Sequence, residues 1–129
     1  MQGPISDSIE KIGREVVDAA IRVHQALGPG LLEAVYESCL FHELSARGIK
    51  CVRQVPITVT YRDLQIDAGL RLDMLVQDVV IVELKAVEQM IPLFEAQLVT
   101  YLKLTGLRLG YLINFNTVLL KQGLKRMVL

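Results

Sequence analysis

The sequence predicts an α/β protein of one domain, in which a mixed sheet is flanked by helices. Three observations support this class. The chain of 129 residues has the length of one compact domain with a single core. Two segments with apolar residues at helical spacing come first, and segments rich in strand-forming residues follow. A further helical segment then lies between two strands, which indicates a crossover that joins parallel neighbours in the sheet.

The first helix is predicted from a polar start and a long apolar stripe. Asp7 and Glu10 have the spacing of a capping box, whose side chains accept hydrogen bonds from the free N–H groups of the first turn. The stripe recurs every three or four residues and comprises Ile9, Ile12, Val16, Ala20, Val23 and Leu27. The Gly-Pro-Gly segment at 28–30 ends this helix, and a second helix is predicted over 31–47.

The remaining elements follow from the residue types after position 50. Pro92 begins a third helix that runs to 105, since the first position of a helix needs no N–H donor. Pro56 lies inside the first strand and indicates an edge strand or a bulge. Runs of β-branched, apolar and aromatic residues predict long strands over 52–61, 70–76, 79–85 and 108–115, with short segments at 118–120 and 126–129.

The amino-acid composition limits which partners and which cellular location we expect for this protein. Fourteen basic residues balance fourteen acidic ones, so nucleic-acid binding would need a local basic patch rather than the overall charge. Hydrophobic residues make up 52% of the chain, which suggests a face shared with a second copy in a homodimer or with a protein partner. No stretch approaches the roughly 18 apolar residues of a membrane span, and no signal-peptide pattern is present. We therefore expect a cytoplasmic protein with no membrane association.

Three charged side chains lie on two neighbouring predicted strands. Glu83 and Lys85 are two residues apart after an apolar run, so their side chains leave the same face of the strand. Asp73 adds a second carboxylate on the preceding strand. Burying one such charge alone is costly, so the group needs an ion, a partner or solvent. Two carboxylates and a lysine can hold Mg²⁺ or Mn²⁺ and leave positions for water and a phosphate oxygen.

The loop between these strands decides whether the two carboxylates meet. A two-residue loop at 77–78 would pair Asp73 with Val82 and place Asp73 on the face opposite Glu83. A three-residue loop over 77–79 would place Asp73 directly across from Glu83. The sequence leaves both open. It also leaves open a salt-bridge cluster of these charges at a solvated sheet end, in a protein that is only a structural scaffold.

Several motifs along the chain match those of one known family. Residues 30–36, Gly-Leu-Leu-Glu-Ala-Val-Tyr, fit the pattern G-x-x-E-x-x-Y, and residues 81–86, Ile-Val-Glu-Leu-Lys-Ala, fit a nuclease strand motif. With similar motifs at 95–102 and 112–115, the chain resembles the bacterial GxxExxY proteins, a branch of the PD-(D/E)XK nuclease superfamily. The resemblance implies a restriction-endonuclease-like core for residues 1–129 as one domain. It also implies metal-dependent hydrolysis of DNA or RNA.

The resemblance assigns roles to individual residues. Asp73 and Glu83 would hold Mg²⁺ or Mn²⁺, and the backbone carbonyl of Leu84 would complete the coordination. Glu33 would correspond to the helix glutamate that many superfamily members direct at the same metal. Lys85 would orient or deprotonate the attacking water, or stabilise the charge that builds on the phosphate. The alternative function is a non-catalytic domain that keeps this fold for binding nucleic acid or protein.

Three further residues are predicted to support the site. Tyr36 follows Glu33 by three positions and shares its helical face. Gln97 and Tyr101 are four apart on the third helix, and this Q-x-x-x-Y pattern resembles one found in several exonuclease-like branches. The simpler alternatives are a first-turn glutamate beside a half-buried tyrosine, and a polar pair at the core edge that bonds to the backbone.

Overall fold

A computed structural model describes residues 3–129 and shows an α/β fold with one mixed sheet, which confirms the predicted class. Neighbouring strands follow chain order, β1-β2-β3-β4-β5. The described elements are α1 (Asp7–Leu27), α2 (Glu33–Ala46), β1 (Cys51–Tyr61), β2 (Leu64–Val76), β3 (Val80–Lys85), α3 (Pro92–Thr105), β4 (Leu109–Asn114), a 3₁₀ turn (Leu120–Gly123) and β5 (Leu124–Val128).

The sheet is mixed because α3 carries the chain from β3 to a parallel neighbour. β3 and β4 are parallel, whereas the pairs β1–β2, β2–β3 and β4–β5 are antiparallel. This confirms the crossover expected from the helix between two strand segments. All six residues of β4 are buried, as expected for a central strand covered on both faces.

Helices cover both faces of the sheet and divide the core into two clusters. The cluster under α1 and α2 includes Val16, Leu40, Val82 and Ile113, and the cluster under α3 includes Ile81, Leu98 and Leu112. Gly110 lets α3 lie close to the sheet, since a Cβ there would stand 2.9 Å from Leu98 Cδ1. The odd-numbered residues of β3 therefore face α3, and this puts Glu83 and Lys85 on the α3 side.

Most predicted boundaries agree with the structure to within one residue, and three features at the starts of elements differ more. The side chain that caps α1 is Ser6, whose Oγ accepts a hydrogen bond from Ile9 N at 3.4 Å, rather than Asp7. The helix α2 begins at Glu33, two residues later than predicted. The strand β2 begins at Leu64 and not at residue 70.

The early start of β2 has a physical explanation in its pairing. Residues 61–69 are exposed, so no burial pattern marks them as strand in the sequence. Residues 64–67 extend β2 because they pair with residues 58–61 at the end of β1 in a long hairpin. Near the C-terminus, a 3₁₀ turn at Leu120–Gly123 and β5 at Leu124–Val128 replace the short segments predicted at 118–120 and 126–129. Within residues 3–129, no helix has the length and apolar character needed to cross a membrane.

Candidate metal centre

The loop between β2 and β3 has three residues, which settles the register that the sequence left open. Val76 pairs with Val80 and Met74 pairs with Val82. Continuing this register by one position places Asp73 opposite Glu83. The turn is tight because Gln77 and Asp78 adopt left-handed backbone conformations, with φ of 52° and 60°.

Each of the two carboxylates is bound to the backbone of the opposing strand. The Asp73 N–H donates to Glu83 Oε2 at 2.7 Å, and the Leu84 N–H donates to Asp73 Oδ2 at 2.8 Å. The backbone pairing of β2 with β3 ends at Met74 and Val82, one position before these contacts. The side chains of Asp73 and Glu83 thus bridge the two strands where they begin to separate, and their carboxyl groups lie side by side.

Burial makes this pair of carboxyl groups difficult to ionise together. Glu83 is 5% exposed, and burial, followed by repulsion from Asp73, raises its pKa to about 8. Burial also raises the pKa of Asp73, although the hydrogen bond from Leu84 and the charge of Lys85 oppose this shift. A site of this kind favours a proton or a cation between the carboxylates.

Glu33 approaches the pair from the first turn of α2. Partial burial and the charge of Asp73 raise its pKa, while Lys85 lowers it. Glu33 therefore lies within electrostatic reach of Asp73 and Lys85, and its role as a metal ligand stays a prediction. Within residues 3–129, no three His, Cys, Asp or Glu side chains are gathered as a ready-made metal cage. The donors present still fit Mg²⁺, which commonly binds through one or two carboxylates and keeps several waters.

Lys85 is the last residue of β3 and its ammonium group lies over an aromatic ring. Its Nζ is 4.4 Å from the centroid of the Phe94 ring, in the first turn of α3. Such a cation–π contact holds an ammonium group without neutralising it. The charge of Lys85 lowers the pKa of Asp73, Glu83 and Glu33, so the lysine lies near all three. Phe94 was not predicted, because one phenylalanine in an apolar helix gives no functional pattern.

Tyr36 is buried and acts on the loop before Glu33. Its hydroxyl donates to Gly28 O at 2.7 Å and accepts from Leu31 N at 3.1 Å. Its ring stacks on Phe115 with centroids 4.6 Å apart. Tyr36 therefore fixes the turn from α1 into α2, and this turn sets the position of Glu33.

The two polar residues predicted on α3 differ in their burial. Tyr101 is buried, and its pKa is raised by burial and by the charges of Glu83 and Asp73, so it lies near the carboxylates. Gln97 is exposed, and its side chain makes no hydrogen bond to residues 3–129. The simpler alternative of a polar pair bonded to the backbone at the core edge does not hold for Gln97, because Leu93 on the same face is 67% exposed and this end of the helix is open. The supporting role of Gln97 and Tyr101 stays a prediction.

Three polar residues that sequence reasoning missed surround the site. Asn114 is buried and exchanges two hydrogen bonds with the Val87 backbone, at 3.0 and 3.1 Å, which fix the chain just after Lys85. The Gln54 amide donates to Glu37 Oε1 at 2.9 Å and opposes the rise in the pKa of Asp73, so it lies near that carboxyl group. A polar residue at the end of an apolar strand was the available indication for Asn114.

The fold and the site together define a class of protein. The domain is a mixed sheet that carries two adjacent carboxylates and a lysine where its central strands separate, and these groups suit a divalent metal ion and a phosphate oxygen. The family model of the PD-(D/E)XK nuclease superfamily matches residues 10–127. The chain therefore belongs to the PD-(D/E)XK nuclease superfamily, and this membership implies a nucleic-acid substrate. Neither a curated protein nor a solved structure gives a significant match.

Proposed function

We propose that this protein is a nuclease of the GxxExxY branch that hydrolyses phosphodiester bonds in DNA or RNA with Mg²⁺ or Mn²⁺. The observation that carries the proposal is the pair of the half-buried Asp73 and the buried Glu83, which lies beside Lys85. Two adjacent acidic groups with raised pKa values are costly for a structural role alone. They become favourable when a cation binds between them.

The ligand set follows from the side chains around this pair. Asp73 and Glu83 would hold the metal, with the Leu84 carbonyl and with Glu33 from α2 as further oxygen donors. When bound, the ion supplies Lewis acidity and lowers the pKa of a coordinated water. A bound cation would offset the repulsion between Asp73 and Glu83, because its positive charge favours the ionised form of both carboxyl groups.

The other residues would orient the substrate and complete the electrostatics of the site. The ammonium of Lys85, held over Phe94, can donate a hydrogen bond to a phosphate oxygen and stabilise the negative charge that builds there. The buried Tyr101 closes the α3 side of the carboxylate pair. Gln97 is exposed on the same helix and is free to contact a bound nucleic acid. Tyr36 acts indirectly through the loop before Glu33.

A homodimer or a protein partner is supported by the exposed apolar surface. Leu32 is 76% exposed, Leu93 67% and Val118 81%. These three residues lie near the start of α2, at the start of α3 and after β4. Burial of such residues in an interface would remove apolar area from water. A cytoplasmic location and a single domain over residues 1–129 remain predictions.

Cleavage of labelled nucleic acids tests the proposed activity. Single- and double-stranded DNA and RNA are incubated with Mg²⁺, Mn²⁺ or EDTA, using the wild type, Glu83→Ala and Lys85→Ala. Exposed residues of the same types provide matched controls, Glu88→Ala and Lys103→Ala. We expect metal-dependent cleavage that the two site variants lose, by about 10²-fold or more for the removal of one charge-stabilising group, and that the two controls keep.

Three outcomes would contradict the proposal. Equal cleavage by the wild type and both site variants would indicate a contaminating nuclease. Cleavage that EDTA leaves intact would exclude the metal centre. Folded wild-type protein that binds nucleic acid in a salt-sensitive way without cutting it would instead favour the non-catalytic binding domain.

A further inference from the structure

Gln54 in β1 has a backbone conformation that is uncommon for residues other than glycine. Its φ of 53° lies in the left-handed region, which costs free energy unless the surroundings hold it. Arg71 Nη1 donates to the Gln54 carbonyl at 3.4 Å, and the Gln54 amide donates to Glu37 Oε1 at 2.9 Å. Contacts from β2 and α2 therefore hold this strained residue in place.

The strain coincides with a change of face in the β1–β2 hairpin. The paired register passes over Gln54 and Asp73, while the positions on both sides stay in register. Residues two apart in a regular strand share a face. Met74 nevertheless packs in the cluster under α1 and α2, whereas Leu72 and its partner Val55 pack in the cluster under α3. The alternation of the hairpin thus reverses at Gln54 and Asp73.

Asp73 lies at the point where the alternation reverses. Regular alternation from Val76 through Met74 already puts Asp73 on the α3 side, where it lies opposite Glu83. The reversal brings Leu72 to the same side, so the β1–β2 ladder is interrupted at the pair of Gln54 and Asp73. The Gln54 amide donates to Glu37 Oε1 at 2.9 Å and opposes the rise in the pKa of Asp73, so it lies beside both α2 and the carboxylate pair.

We propose that Gln54 is a positioning residue for the metal centre. Its left-handed backbone interrupts the β1–β2 ladder opposite Asp73, and its amide, beside the Asp73 carboxyl group, holds that carboxylate in the orientation that a cation needs. The inference rests on the proposed function, because the orientation of Asp73 matters where a cation binds. Groups that orient metal ligands commonly change metal affinity or activity by about 10- to 100-fold when they are removed.

Two variants separate the amide of Gln54 from its backbone conformation. Gln54→Met removes the amide and keeps a side chain of similar length. Gln54→Gly also removes the amide, but glycine adopts the left-handed conformation without strain. Gln77→Gly is the matched control, since Gln77 has the same residue type and a φ of 52°, in the loop at the other end of the β2–β3 ladder.

The first readout is the dissociation constant of Mn²⁺, measured by isothermal titration calorimetry without nucleic acid. We expect affinity at least about tenfold weaker in both Gln54 variants and unchanged in Gln77→Gly. The second readout is Tm, which should stay close to the wild-type value in Gln54→Gly. High Mn²⁺ should restore cleavage by the Gln54 variants, an effect that a folding defect would not produce.

The results distinguish this inference from the proposed nuclease activity. If a folded Gln54 variant binds Mn²⁺ with the wild-type affinity, the positioning role of Gln54 is wrong while the nuclease proposal stands. If Gln54→Met does not fold, the affinity of Gln54→Gly decides the question. Absence of Mn²⁺ binding by the wild type overturns the metal centre and this inference together. Mn²⁺ binding by the wild type without cleavage overturns the nuclease proposal only, and the comparison of affinities still tests Gln54.

Discussion

Replacing Glu83 by glutamine removes a buried acidic group but keeps an oxygen that can accept the hydrogen bond from the Asp73 amide. The pKa of Glu83 rises from 4.5 to about 8 in the fold, so the folded protein binds a proton that the unfolded chain releases. The stability contributed by this group is therefore complete below pH 4.5 and is lost as the pH rises towards 8. By linkage the loss is about 1 kcal/mol at pH 5, about 3 at pH 7 and about 5 above pH 9.

The expected result is a glutamine variant that is more stable than the wild type at neutral pH in the absence of metal. Urea unfolding followed by circular dichroism at pH 5, 6, 7 and 8, with EDTA, gives the free energy of unfolding of each protein. The difference between Glu83→Gln and the wild type should grow by about 2–3 kcal/mol between pH 5 and pH 7. Glu88→Gln, at an exposed position, is the control and should show no such trend.

A difference that stays constant from pH 5 to pH 8 would refute the reasoning. It would mean that Glu83 is ionised in the folded protein at neutral pH or that the carboxyl group is not buried. A variant that is less stable than the wild type at every pH would show that glutamine cannot replace the hydrogen bond to Asp73. Adding Mg²⁺ should reverse the order of stability above pH 7, because a bound cation stabilises the ionised wild-type pair.

Three further predictions follow from the contacts around the site. Mg²⁺ should raise the Tm of the wild type but not of Glu83→Ala in thermal unfolding, and an equal shift in both would place the ion elsewhere. Tyr36→Phe should lower the free energy of unfolding by about 1–3 kcal/mol in urea, because two backbone groups of the loop before α2 lose their partner; unchanged stability would contradict this role. Gly123→Ala should cost about 1–3 kcal/mol in the same assay because its Cβ would collide with the Asn114 carbonyl oxygen, whereas Gly3→Ala, in open space, should have no effect.

The sequence predicted the helices and most of the sheet because their residue patterns are local. The apolar stripe of α1, the Gly-Pro-Gly ending and the proline at the start of α3 all describe nearest neighbours in the chain. The part of β2 before residue 70 escaped prediction for the opposite reason. Residues 64–67 are exposed and are held by pairing with β1, which no local pattern records.

In the candidate site, too, some residues were predicted from the sequence and others were missed. Asp73, Glu83 and Lys85 were found because charged residues interrupt apolar strands, where burial of a charge needs a reason. Gln54 and Glu37 were missed because polar residues on the surfaces of strands and helices are common, and Asn114 was missed although a polar residue at the end of an apolar strand was an available indication. Their importance comes from contacts with residues distant in the chain, such as Gln54 with Glu37 and with Asp73.

The sequence by itself determined the fold class, the order of the elements and the residue types that suit a metal centre. The tertiary structure decided that the two carboxylates share a face, that Tyr101 approaches them and that Gln97 is exposed. The physical reason is that side chains alternate along a strand with a period of two. A change of one residue in the 77–79 loop would move Asp73 to the other face without altering any local pattern.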